Sequence, residues 1–235
     1  MAVVERFFDT REAMIDAVFE HAIGALQEAV AEGDKASFLV SGGSSPAPIY
    51  KRLSEADLAW DKIKVALVDE RWVDFDHDKS NEAFIVKTLL QNNAANAKLI
   101  GMKNTAASAS DGLAQCEAAY QTLSSPFDVT VLGMGPDGHT ASLFPHADGL
   151  EQALSTSALC SAITARQSEV TGECTERMTL SLAGIVNSKH VLLLISGDEK
   201  LATYREALAG GDVADMPVRA VLEQNNVPVT VYWAP

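Results

Sequence analysis

Cysteine is scarce in this chain. Its 235 residues hold three, Cys116, Cys160 and Cys174. An odd count without C-x-x-C spacing fits neither a disulfide framework nor a thiolate zinc site. Reduced thiols in a cytoplasmic protein are the expectation. Positive charge is also short, with 18 Lys and Arg against 32 Asp and Glu, a net charge of −14 at pH 7. That balance argues against nucleic-acid partners and anionic membrane surfaces. A small anionic substrate then requires a local cluster of Arg and Lys, because the overall field repels it. No apolar run approaches membrane-spanning length. The segment Met1 to Asp9 has acidic residues and no uninterrupted apolar stretch, so it is not read as a secretory signal. The five histidines (His21, His77, His139, His146, His190) show no i, i+4 pair, and no metal is expected. There is no internal repeat, low-complexity tract or clear linker.

What is present reads as strands alternating with helices. The hydrophobic content of 47% suits a real core. Short buried runs occur at Ala36–Val40, Ile63–Val68, Asp128–Leu132 and Val191–Ile195. Helical spacing follows Asp9, read as a cap with Glu12 three residues on, and continues to Gly33. Further helices are expected after Pro46, from Ser80, from Ser108 to Leu123, from Ala183 to Asn187 and after Ser196. Residues 92–103 read as polar and turn-rich, and 146–175 as a stretch with little pattern beyond a possible strand at Leu159–Ile163. Arg177–Leu182 alternates like a strand. Pro228 places the last strand at an edge, or marks its start. The expectation is a three-layer α/β/α fold with a mostly parallel twisted sheet, residues 1–235 forming one domain, as a monomer or small homo-oligomer.

Chemistry concentrates where these strands end. Gly133-Met134-Gly135-Pro136-Asp137-Gly138-His139 follows a buried strand, and a helix is expected to open at His139. Glycines let the loop lie close to a ligand, and an imidazole changes protonation near neutral pH. The literal G-x-G-x-x-G is not read as a dinucleotide site: it lies past mid-chain, Pro136 removes a donor, and Asp137 would face a pyrophosphate. Ser41-Gly42-Gly43-Ser44-Ser45 follows another strand, and its free N–H groups suit an anion. It is neither a Walker A loop nor a nucleophile elbow. Asp69-Glu70-Arg71 ends a third strand, as a surface ion pair or with Arg71 reaching a phosphate. Lys200 follows a fourth. No cysteine or elbow serine supplies a nucleophile, so water is the natural attacking group with His139 as its base.

These segments resemble the 6-phosphogluconolactonases, within the wider glucosamine-6-phosphate deaminase-like fold. The matching stretches are Ser41–Pro46, Asp69–Val73 with Ser80-Asn81, Gly133–Pro145, Arg177–Leu180, and Ser196-Gly197 with Lys200. The run Asp137-Gly138-His139-Thr140-Ala141-Ser142-Leu143-Phe144-Pro145 is the most specific of them. The resemblance implies hydrolysis of 6-phospho-D-glucono-1,5-lactone to 6-phosphogluconate, with no cofactor and no metal. It implies His139 as general base and Asp69 as an aid in positioning substrate or water. Gly42, Gly43, Ser44, Arg71 and Lys200 would hold the phosphate, Arg177 would line the site, and Gly133, Gly135, Asp137 and Gly138 would shape the loop. Two rivals are a deaminase acting on glucosamine 6-phosphate and a sugar-phosphate-binding module without catalysis. Related deaminases carry a glutamate where this chain has Phe144, and tyrosine where it has Arg71.

Overall fold

The computed structural model describes residues 3–235. Met1 and Ala2, where the segment read for a leader begins, lie outside them. In chain order the elements open with β1 (Val4–Phe7), α1 (Arg11–Gly33), β2 (Ala36–Val40), α2 (Ala47–Ser54), β3 (Ile63–Leu67) and β4 (Asp69–Arg71). Then come α3 (Asn81–Thr88), β5 (Lys98–Ile100), α4 (Ala109–Tyr120), β6 (Phe127–Gly133), α5 (Leu150–Ser155) and β7 (Cys160–Thr164). The chain closes with β8 (Glu176–Leu180), α6 (Leu182–Val186), β9 (Ser188–Ser196), α7 (Asp198–Leu208), α8 (Val218–Glu223) and β10 (Val229–Ala234).

Seven strands form one parallel sheet in the order β1-β10-β9-β6-β2-β3-β5. Successive residues of a strand point to opposite faces. Val129, Thr130, Val131 and Leu132 are all buried, so helices cover both sides of β6. Helix α1 lies across β10, β9, β6 and β2, while α6 and α7 pack on β9. Val18, Ala22, Leu26 and Ala29 form the buried stripe of α1. Its cap is Thr10 rather than Asp9: the Thr10 hydroxyl accepts from the Ala13 N–H at 3.2 Å. The far end turns out through Asp34 in the left-handed region.

A second sheet is antiparallel and ordered β4-β8-β7. The strands expected at Leu159–Ile163 and Arg177–Leu182 are its β7 and β8, while β4 and the pairing were not legible in the sequence. Asp69-Glu70-Arg71 is therefore a strand, not a loop. Val68 joins the two sheets: its N–H donates to Val40 O at 3.0 Å, and its carbonyl accepts from Leu180 N at 2.8 Å. Other differences are local. β5 occupies part of the stretch read as turns. Pro228 marks the start of β10, the second of its two readings; β10 lies inside the sheet, and the edge belongs to β1, whose four residues are all exposed. No helix opens at His139; turns carry the chain as far as Leu150. No helix among the described residues is long and apolar enough to cross a membrane.

Candidate active site

The sheet order places a switch point beside β2. From β2 the chain runs outward to β3 and β5, then returns to β6 on the other side. In such sheets ligands sit beyond the carboxyl ends at this crevice. The register of β2 on β6 covers only Phe38–Val129 and Leu39–Thr130. The loops beyond, Ser41–Ser45 and Gly133–His139, flank a cavity of about 290 Å³. β4 and the start of α7 add Asp69, Arg71 and Lys200.

His139 is held on several sides. Its Nδ1 lies 2.5 Å from Asp137 Oδ1, which also accepts the His139 N–H at 3.1 Å. Burial pushes the Asp137 carboxyl up, but the hydrogen bond and charge of His139 more than offset it, leaving it below the usual range. In a neutral imidazole, an Nδ1–H directed at this carboxylate leaves the lone pair on Nε2. The ring stacks on Phe144 with centroids 4.3 Å apart. On Gly135, a Cβ would collide with the imidazole, so only glycine fits. Gly135 N donates to His139 O at 2.9 Å, and Gly138 turns with φ +78. Thr140 Oγ1 closes the loop on Gly133 O at 2.8 Å.

The antiparallel sheet supplies buried charge. Arg71 and Arg177 stand opposite each other in the β4–β8 register. Asp69 is 7% exposed, and its Oδ2 accepts from Ser142 Oγ at 2.6 Å and lies 4.0 Å from the Arg177 guanidinium. Asn81 Nδ2 donates to the Asp69 carbonyl at 3.0 Å and to its Oδ1 at 3.2 Å. Burial lowers the pKa of Arg177, and the charge of Asp69 opposes this. Arg177 Nε donates to Cys174 O at 2.6 Å and Nη2 to Thr171 O at 3.1 Å, so this arginine also ties down the 166–175 loop that brings Val170 to the cavity.

Glu70 forms no surface ion pair. It is fully buried and accepts the N–H groups of Arg71, Asn81 and Glu82 at 2.8, 2.8 and 2.7 Å, capping α3. Burial drives its pKa up to about 7 against those three donors. Arg71 donates to Lys79 O at 2.6 Å, and its buried Nε has no hydrogen-bond partner among the described residues.

At the glycine loop after β2, Gly43 turns with φ +102. A Cβ on Gly42 would strike the Asn81 carboxamide. Lys200 stands in the first turn of α7. Burial lowers its pKa, opposed by Glu199, and it makes no ion pair among the described residues. Three cations and a turn of backbone donors thus face one small cavity in an acidic protein.

Comparison with known proteins bears on this arrangement. Residues 9–233 match the family described as glucosamine-6-phosphate isomerases/6-phosphogluconolactonase. The chain belongs to that family. It is 36% identical to a 6-phosphogluconolactonase of Rhizobium meliloti over 235 residues, covering 100% of both chains. It is 41% identical to one of Pseudomonas aeruginosa over 212 residues, covering 90% of this chain and 87% of that one. Among solved structures, a 6-phosphogluconolactonase from Shewanella baltica superposes with a TM-score of 0.94 at 42% identity, covering 99% of this chain and 98% of that one. A monomeric glucosamine-6-phosphate deaminase shares the fold, with a TM-score of 0.78 at 19% identity.

Within this family fold, Gly42, Gly43, Ser44, Asp69, Arg71, Gly133, Gly135, His139, Arg177 and Lys200 line the cavity together. Asp137 and Gly138 stand behind the imidazole. Sequence reading assigned no role in the site to Asn81, Ser142 or Val170, and used Phe144 only to set the chain apart from the deaminases. Ser142 and Phe144 lay inside the most specific motif and Asn81 beside a helix start, so a signal existed for three of them. Val170 sits in the stretch without pattern.

Proposed function

We propose that this chain hydrolyses 6-phospho-D-glucono-1,5-lactone to 6-phospho-D-gluconate, the lactone step of the pentose phosphate pathway. The observation that carries the reading is the tethered imidazole: Asp137 takes the Nδ1 side of His139 at 2.5 Å and leaves Nε2 basic at a cavity bearing Arg71, Arg177 and Lys200. Lys200, Arg71 and the Gly42–Ser44 loop hold the phosphate. Asp69, fixed by Ser142 and Asn81, positions substrate or water. Nε2 takes a proton from water as its oxygen adds to the lactone carbonyl. The tetrahedral intermediate then expels the ring oxygen, which leaves as a hydroxyl with the proton from the imidazolium, and the acid product forms. No cofactor takes part in this reading.

Phe144 favours hydrolysis over deamination. Ring opening and enolisation call for a second acid–base group, which phenylalanine cannot provide. The reading takes residues 1–235 as one working domain in the cytoplasm, supported by a continuous buried core and three free cysteines.

The test is hydrolysis of freshly generated lactone, followed against its spontaneous opening, with wild type beside His139→Ala. A fast wild type and a variant lower by about 10²- to 10⁴-fold that still binds 6-phosphogluconate is the expected result. A variant that keeps most of its rate removes His139 as base. A wild type without turnover, but with a melting shift from sugar phosphate, points to the binding module. Turnover of glucosamine 6-phosphate alone points to the deaminase.

A further inference from the structure

The imidazole and the buried guanidinium meet the same aromatic ring. Phe144 is 3% exposed and lines the cavity. Its ring stacks on His139 with 4.3 Å between centroids and 30° between planes. The Arg177 guanidinium carbon lies 5.2 Å from the centre of that ring. A hydrogen bond at Nδ1 fixes one edge of an imidazole but leaves the ring free to swing about it. Gly135 and Phe144 remove that freedom by packing on the ring. Aromatic stacking and cation–π contacts of this kind are strong enough to bias a rotamer.

We propose that Phe144 is a positioning residue for the hydrolytic reaction, setting the plane of His139 so that Nε2 points at the attacking water while holding Arg177 against the same ring. It touches no reacting atom and acts through His139. A misplacement near 1 Å can cost ~100-fold in rate, so the ring's flat face matters more than its apolar volume. Ser142, two residues earlier, anchors the same segment to Asp69 at 2.6 Å. The Phe144 platform therefore sits on a fixed base. The inference deepens the lactonase reading and rests on it.

The experiment compares wild type, Phe144→Met, Phe144→Tyr and His139→Ala for kcat, KM and melting temperature. Methionine keeps apolar bulk and loses the flat face; tyrosine keeps the face. Expected is a kcat lowered about 10- to 100-fold in Phe144→Met with KM changed less than about threefold, and recovery to within about threefold of wild type in Phe144→Tyr. A Phe144→Met enzyme with at least half the wild-type kcat overturns the inference. So does an equal loss in both Phe144 variants, or a change confined to KM. If Phe144→Met does not fold, Phe144→Tyr decides alone: near-wild-type kcat supports the platform, and a large loss in a folded enzyme overturns it. His139→Ala separates the two levels. Full rate there removes His139 as base, and the platform with it, while hydrolysis stands; a wild type without turnover removes the hydrolytic reading; a dead His139→Ala beside an active Phe144→Met removes only the platform.

Discussion

The two sheets contribute different materials to one cavity. The parallel sheet gives backbone: glycine turns after β2 and β6 and the start of α7, with His139 in the turn after β6 and Lys200 in the first turn of α7. The antiparallel sheet gives side chains: buried Asp69 and Arg177 and half-buried Arg71, with Asp69 braced by Asn81 and Ser142 and Arg177 by the Cys174 and Thr171 carbonyls. Backbone donors at a strand end come almost free with the fold, since loops there must leave N–H groups unpaired. Buried charges are costly to desolvate and survive only in a network that satisfies them. The small sheet, with Asn81 and Ser142 as braces, is that network.

Perturbing each side separately sharpens the contrast. Gly135→Ala places a methyl against the His139 ring, and the lactonase rate is expected to fall about 100-fold, with little loss of melting temperature. A rate within threefold of wild type would show that the loop yields. Asp69→Asn strikes the other sheet. It leaves the Arg177 cation buried without its carboxylate, so stability is expected to drop by roughly 2–4 kcal/mol in urea unfolding, with a rate loss near tenfold. Unchanged stability would mean that Arg177 relies on the Thr171 and Cys174 carbonyls alone. Lys200→Ala removes the charge-assisted contact proposed for the phosphate, which would be worth about 1.5–3 kcal/mol. The expected sign is a KM raised about tenfold or more with kcat nearly kept, and a kcat effect alone would contradict the phosphate assignment.

The smallest effect belongs to the parallel sheet away from the site. His21 on α1 lies 2.6 Å from the Tyr232 hydroxyl and 3.0 Å from His190 Nδ1. Burial first, then His190 and Arg6, lower its pKa from 6.5 to about 4. The folded state holds it neutral while the unfolded chain takes up a proton. Its contribution is therefore present above about pH 6.5 and lost as pH falls toward 4. Discounted for partial exposure, the loss is about 1–2 kcal/mol. In melting scans between pH 7 and pH 4.5, His21→Gln should lose less stability than wild type, at unchanged turnover at neutral pH. Parallel curves would remove this group from the acid response.

The same contrast decides what could be seen in the sequence. β2, β6 and β9 are buried apolar runs followed by glycine, a local signal, and three of the four cavity loops were found that way. The antiparallel sheet has no such signal. β4 is three residues long, and Ser142 meets Asp69 across 73 positions. Arg177 was found by alternation, yet its carbonyl partners lie in a stretch without periodicity. β1 is exposed along its whole length, so no alternation marks it. The helix expected at His139 fails because the loop returns on itself, Gly135 N to His139 O. Such a turn reads in sequence like a strand-to-helix junction.

Val68 gives the molecule a built-in clock. Its own amide is bonded to the large sheet and its carbonyl holds the amide of Leu180 in the small one. Neither proton can trade with deuterium unless one ladder lets go. The exchange rate at Val68 and Leu180 thus times how often the buried charges part from the imidazole's scaffold.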